Sequence, residues 1–319
     1  MSAVRLLALD LDGTILGDDL RISRRTRAAV AGAVARGVAV VLATGRMYRS
    51  ALPYAALLGL PGPLICYQGA YVRDRAGRDG AIGAILRHVT MEGAAARDAI
   101  RWAREHGLDP HVNRDDRLLM EIGDEDAPDY ERHSGIGAEF VPDLVAATDG
   151  PVTKVLAVGR PGLPAELLDA GRTRFAGRAE VTVSHPEYLE FMAPGVHKGA
   201  ALRWLAARLG IPLAETMAVG DQHNDLEMIA AAGIGVAMGG APPRWAPPRA
   251  TSPHRSRRTV RRWRSRSSCS RPARLLLPVE PDASRPGPAE ALAPDGDRLA
   301  RARDGDLAVV AVHLAEAAR

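Results

Sequence analysis

Short apolar runs that stop at glycine, threonine or acidic residues recur through the first quarter of the chain. Residues 4–9 form one such run and end at Asp10, which predicts a buried strand followed by a loop. Ser23 can then cap a helix through residue 36, with Ala28, Ala29, Ala33 and Val34 on one face and Gly37 as its stop. Residues 38–43 repeat the strand pattern, residues 44–46 open a second helix toward Leu58, and residues 64–67 give a third strand. A strand-helix-strand-helix-strand rhythm predicts a parallel sheet with helices on both faces.

The rhythm changes between about residues 80 and 190. Helix-like stretches at 92–106 and 164–175 alternate with strand-like ones at 118–122, 153–158, 180–184 and 188–192, across loops rich in Gly, Pro and Asp. The first rhythm then resumes, with helices at 198–209 and 225–232 and strands at 216–219 and 234–237. The expected organisation is an α/β core made of residues 1–80 and 191–243, interrupted by an inserted α/β unit at 81–190. Residues 241–274 have no period of either kind and few apolar positions, and the whole tail, 244–319, is expected to be disordered.

The loops that end the predicted strands carry the chemistry. In LLALDLDGTIL, Asp10 and Asp12 leave the first strand one residue apart, at the end of a doubly wound sheet where ligands bind. A carboxylate there can attack phosphorus and form an aspartyl phosphate, which suits Asp10. Asp12 can protonate the leaving alkoxide and later activate water. Gly13 allows a tight turn, and Thr14 can steady the loop. Carboxylates beside a phosphate need positive charge, and Mg²⁺ held by Asp10, Asp12 and Asp221 is the expected source.

Asp221 comes from AVGDQHNDLEMI, where Asn224 is expected to contact phosphate or bound water and Asp225 to support the metal ligands. For Asp225 alone, a helix cap is an equal alternative. In VVLATGR, Thr44 and the amides from Gly45 onward can hold phosphate oxygens at a helix start. Lys198, in GVHKGAAL, can neutralise both nucleophile and phosphoryl group. His223 and His197 are expected to be bystanders, since magnesium prefers oxygen. His185, Tyr188 and Glu190 either face substrate or serve as ordinary hinge or strand positions, and Lys154 either contacts substrate or joins an ion pair.

DLDGT, ATGR, HKG and GDxxND occur in this order, and over residues 4–243 the chain resembles the haloacid dehalogenase-like hydrolases of the Cof type, class IIB. The resemblance implies a Rossmann-like core, a large α/β cap between the second and third motifs, and magnesium dependence. It also implies hydrolysis of sugar phosphates or related small phosphomonoesters. In that family the positions of Asp10, Asp12, Thr44, Lys198 and Asp221 are nucleophile, acid/base, two phosphate ligands and metal ligand. CYQGA departs from the pattern, because many relatives carry asparagine where Gln68 stands. A phosphomutase would share this core and cap, but no feature for retaining a sugar between half-reactions is visible, so hydrolysis is favoured.

Composition alters this picture only at the end of the chain. Of 319 residues, 46% are hydrophobic and 25% charged, as in soluble globular proteins. No apolar run approaches the roughly 20 residues of a membrane span, no secretory leader is visible, and Cys66 and Cys269 lack the spacing of a zinc site. A cytoplasmic protein acting on a small phosphorylated metabolite is expected, with neither membrane nor nucleic acid as partner. The net charge of +4 arises from residues 244–319, which hold 16 arginines and 8 acidic residues.

Two readings of this tail compete. A basic arm with Trp245 and Trp263 would bind nucleic acid in a salt-sensitive way. The preferred reading is an out-of-frame product beginning near Pro243 or Arg244, because the presumed codons read one base out of frame yield a Cof-like ending. It would leave an exposed sheet edge beside residues 234–237.

Overall fold

The computed structural model describes residues 3–17, 19–75, 83–124, 127–238 and 300–302. In chain order the elements are β1 (Leu6–Leu9), α1 (Arg24–Ala35), β2 (Ala39–Leu42), α2 (Tyr48–Leu57), β3 (Leu64–Cys66), β4 (Tyr71–Arg73) and β5 (Ile85–His88). There follow α3 (Gly93–Glu105), β6 (Asp109–Arg114), β7 (Arg117–Glu121), α4 (Ala127–Ser134), β8 (Glu139–Val141), β9 (Lys154–Val158), α5 (Leu163–Arg174), β10 (Glu180–His185) and β11 (Tyr188–Met192). The chain continues with α6 (Lys198–Arg208), β12 (Thr216–Gly220), α7 (Leu226–Ala231), β13 (Ile234–Met238) and β14 (Ala300–Ala302).

Five strands make a parallel sheet in the order β14-β13-β12-β1-β2. Successive side chains on a strand point to opposite faces, and here both faces are covered. Leu6 and Ala8 join Val41, Ala218, Leu202 and Leu205 in one buried cluster, against α6 and α7. Leu7 and Leu9 join Val40, Leu42, Val219 and Val30 in the other, on the side of α1 and α2. Burial on both faces is why these strands read as continuous apolar runs.

The third predicted strand does not extend this ladder as a full member. A single bridge, Ala43 to Ile65, ties it to the end of β2, and β3 otherwise pairs antiparallel with β4, which pairs with β5. Thus β5, assigned to the insert by a boundary at residue 80, hydrogen-bonds to a strand before that boundary. Six further strands, all between Asp109 and Met192, form a second sheet in the order β10-β11-β9-β6-β7-β8, antiparallel except for β7 and β8.

Beyond β13 the described residues are 300–302, which pair in parallel with Val236–Met238. The edge expected to be bare therefore carries a short strand. The expected disorder of the tail, 244–319, does not hold at residues 300–302, where backbone pairing with β13 orders the chain; the rest of the tail, and any change of reading frame near Arg244, lie outside the described residues. Among the described residues no helix is long and apolar enough to cross a membrane.

Candidate active site

The predicted site residues come together at the carboxyl ends of β1, β2 and β12, with α6 entering from its N-terminus. Gly13 makes the turn after β1 at φ +80°, and a Cβ there would lie 2.3 Å from Asp221 Oδ2. Only glycine lets the first loop approach the third so closely. Thr14 then donates its hydroxyl to Asp221 Oδ1 at 2.8 Å, so the residue expected to steady the loop does so through Asp221.

Lys198 is fully buried and donates to Asp10 Oδ1 at 2.5 Å and to Asp225 Oδ1 at 2.7 Å. Burial alone would lower its pKa, but Asp10 and Asp225 hold the ammonium above its ordinary value. Burial pushes the Asp10 carboxyl well up, and Asp225 and Asp221 add to this while Lys198 opposes them. Asp221 is raised in the same way, by burial and then by Asp225, against the Thr14 hydrogen bond and Lys198. Concentrated negative charge at the end of a sheet is thus countered by one lysine.

Oxygens of Asp10, Asp221 and Asp225 lie within 4.8 Å of one another. Asp225 is committed elsewhere, since its Oδ1 accepts from Lys198 and its Oδ2 from the amides of Asp221 and Gln222, each at 3.0 Å. It closes the capping box of its own turn and anchors Lys198. Asp10 and Asp221 remain as an all-oxygen pair with raised carboxyls, a donor set that fits a hard cation such as magnesium.

The carboxylate of Asp12 is not among these three clustered carboxylates. Both of its oxygens face Arg46, which donates from Nε at 2.8 Å and from Nη2 at 2.7 Å. Arg46 follows Thr44 and Gly45 on the second loop, where the Thr44 hydroxyl accepts from the Arg46 amide at 3.1 Å. His197 is the N-cap of α6 and accepts from the Ala200 amide, which gives it a structural task.

A buried chain of polar groups joins these loops to the second sheet. Asn224 Nδ2 donates to Gln68 Oε1 at 3.0 Å, and Gln68 Nε2 donates to Glu190 Oε2 at 2.6 Å. Lys154 bridges Glu190 Oε1, at 2.7 Å, and the Gly45 carbonyl, at 3.0 Å. Lys154 therefore forms an ion pair, and Glu190 occupies a position within β11 that faces the cleft. Asn224 donates one amide proton to Gln68, and its buried carbonyl oxygen has no hydrogen-bond partner. Gln68 adopts φ +57°, and its amide packs so close to Gly45 that a Cβ there would lie 2.4 Å away.

Breaking a buried pair strands a charge, whereas replacing both partners does not. Lys154→Met should therefore cost about 3–5 kcal/mol, and Lys154→Met with Glu190→Leu should regain most of it. Chemical denaturation of the three proteins measures this. A double variant as unstable as the single one would show that the pair does not act as a unit.

A cleft open to solvent lies between Asp10 and Asp12 on one side and Lys154, Glu190, Tyr188 and Tyr130 on the other. Ser134, Ser184 and His185 also line it. The rings of Tyr130 and Tyr188 meet edge to face with centroids 5.9 Å apart. Tyr130 and Ser134 were not singled out from the sequence, because α4 is a short polar helix whose place over the cleft depends on the second sheet.

Comparison with known proteins agrees with this geometry. An HMP-PP phosphatase of Serratia proteamaculans is 34% identical over 242 residues, spanning 75% of this chain and 85% of that protein. Phosphatase YwpJ of Bacillus subtilis is 29% identical, over 75% of this chain and 90% of its own length. Among solved structures, TM0651 of Thermotoga maritima is 32% identical with a TM-score of 0.61, covering 75% of this chain and 88% of that one. A haloacid dehalogenase-like hydrolase of Bacteroides thetaiotaomicron is 27% identical with a TM-score of 0.64, over 75% and 90% of the two chains. The family model for haloacid dehalogenase-like hydrolases matches residues 7–246, the stretch that carries all four motif loops, and the chain belongs to that family.

Proposed function

We propose that this chain is a magnesium-dependent phosphatase that hydrolyses a small phosphomonoester through a phosphoryl-aspartate on Asp10. The observation that carries the reading is the meeting of Asp10, Asp221 and Lys198 at the strand ends, beside a solvent-open cleft that Asp10 lines. Asp10 and Asp221 would hold the magnesium, which when bound offsets charge between carboxylates and phosphate.

Asp10 attacks phosphorus with one carboxylate oxygen, forming an O–P bond as the bond to the leaving oxygen breaks. Asp12 gives its proton to that oxygen, then takes one from the water that cleaves the aspartyl phosphate and restores Asp10. To reach a phosphate at Asp10, Asp12 turns away from the Arg46 fork. Lys198 stays on Asp10 throughout and balances the charge of the transferring group. Thr44 and the Gly45 amide are assigned to phosphate oxygens, and Asn224 either to the same oxygens through its amide protons or to bound water through its unpartnered carbonyl.

We read residues 81–190 as the cap that selects the leaving group, since the core loops supply phosphate chemistry only. Tyr130, Tyr188, Lys154 and Glu190 offer flat apolar faces beside paired charges, which suits a compact polar leaving group. The named activity of the Serratia relative makes HMP-PP one candidate. Sugar phosphates, nucleotides, flavin mononucleotide and pyridoxal phosphate complete the panel.

The test is phosphate release across that panel, with magnesium and with EDTA. Magnesium-dependent release from at least one small phosphomonoester is expected, and magnesium-independent release would overturn the reading. Asp221→Ala should raise the magnesium needed for half-maximal rate by at least about tenfold. An unchanged magnesium titration would remove Asp221 from the metal.

A further inference from the structure

A second convergence of ionisable side chains lies in the six-stranded sheet, among residues that the proposed hydrolysis does not use. Asp109 and His111 alternate on β6 and so share one face, and Asp124 follows β7 on the way to α4. One ligand atom from each lies within 4.8 Å of the other two. His111 is fully buried, yet neither of its ring nitrogens has a hydrogen-bond partner. Its Nε2 is 3.0 Å from Asp124 Oδ2, near enough for an ion pair but not aligned as donor to acceptor.

That misalignment is informative. A buried imidazole normally aims an N–H along the line to its acceptor, because an unmade bond there costs about 1–3 kcal/mol. Two atoms 3.0 Å apart whose bonding directions miss each other are placed as neighbouring ligands of a common centre are placed. A divalent cation at that centre would accept the imidazole lone pair and an oxygen from each carboxylate together.

We propose that Asp109, His111 and Asp124 form a second cation site, separate from the Asp10 and Asp221 pair, that takes a divalent transition ion of the zinc class. The donor sets separate the two ions. An imidazole nitrogen favours zinc, copper, iron or nickel, while the oxygen-only pair at the strand ends suits magnesium. The site also has a structural consequence. Asp124 lies in the connection from β7 to α4, so a bound ion would pin that connection to β6. Tyr130 of α4 packs with its ring centroid 5.0 Å from that of His111 and lines the cleft, so occupancy would stiffen one wall of it.

Metal binding tests this without reference to turnover, so failure here and failure of the phosphatase reading are distinguishable. The full chain is stripped with chelator, supplied with excess magnesium and titrated with Co²⁺, with calorimetry giving stoichiometry and the visible spectrum reporting nitrogen ligation. One cobalt equivalent with a nitrogen-ligated spectrum is expected, retained in Asp221→Asn. Asp109→Asn and His111→Gln should each weaken it by more than the ~10–100-fold typical of changes behind a ligand. Circular dichroism checks folding, and if His111→Gln does not fold, the less buried Asp109→Asn decides. The proposal fails if wild type takes up no cobalt in excess magnesium, if Asp221→Asn abolishes uptake, or if Asp109→Asn binds as wild type does.

Discussion

Asp10→Asn is expected to lower phosphate release by at least about 10⁴-fold while the protein stays folded. An amide of the same shape keeps an oxygen for Lys198, so the side chain loses its nucleophilicity and little of its packing. Asp225 remains as the second partner of the ammonium, 2.7 Å away, and prevents the buried lysine from being stranded. The loss should therefore appear in turnover, with the thermal midpoint close to that of wild type. Phosphate release measured beside a melting curve separates the two effects. Substantial turnover in a preparation shown by mass spectrometry to carry asparagine would remove Asp10 from the role of nucleophile.

Lys198→Met is expected to fail in both respects, because the same side chain holds the site together and neutralises it. Removing the ammonium leaves Asp10 and Asp225 facing each other, both buried, with burial already raising Asp10. Losing one partner of a buried ionic group costs about 3–5 kcal/mol. Losing a donor aimed at the developing charge costs a further ~10²–10³-fold in rate. Lys198→Arg should not rescue either loss, since a guanidinium is larger than the fully buried slot and points its donors in a fixed fork. This accounts for a lysine at this position in a chain with 40 arginines and two lysines. Urea unfolding and kcat of the two variants are the measurements, and a stable, active Lys198→Arg protein would refute the account.

The parallel sheet and the loops that leave it were determined by sequence alone. Strands buried on both faces must be apolar throughout, so β1, β2 and β12 announce themselves as runs, and the residue after each run lies at the sheet's carboxyl end. Asp10, Thr44 and Asp221 are therefore placed by local pattern. Lys198 is placed by the start of a helix and by its rarity.

What tertiary structure decided are contacts whose partners lie far apart in the chain. Strand β6 escaped notice because its face carrying Asp109, His111 and Asn113 is polar, and His111 and Asn113 are nonetheless fully buried. A polar alternation normally marks solvent, and only the helix packed over it reverses that. Asp12 could not be known to face Arg46 from a spacing of 34 residues. Nor does any local pattern bring Gln68 to Glu190, 122 residues away, or Lys154 to the Gly45 carbonyl, 109 residues away. Those bonds exist because two separately encoded sheets meet over one cleft, where a buried polar group left without a partner costs more than holding the two sheets in register.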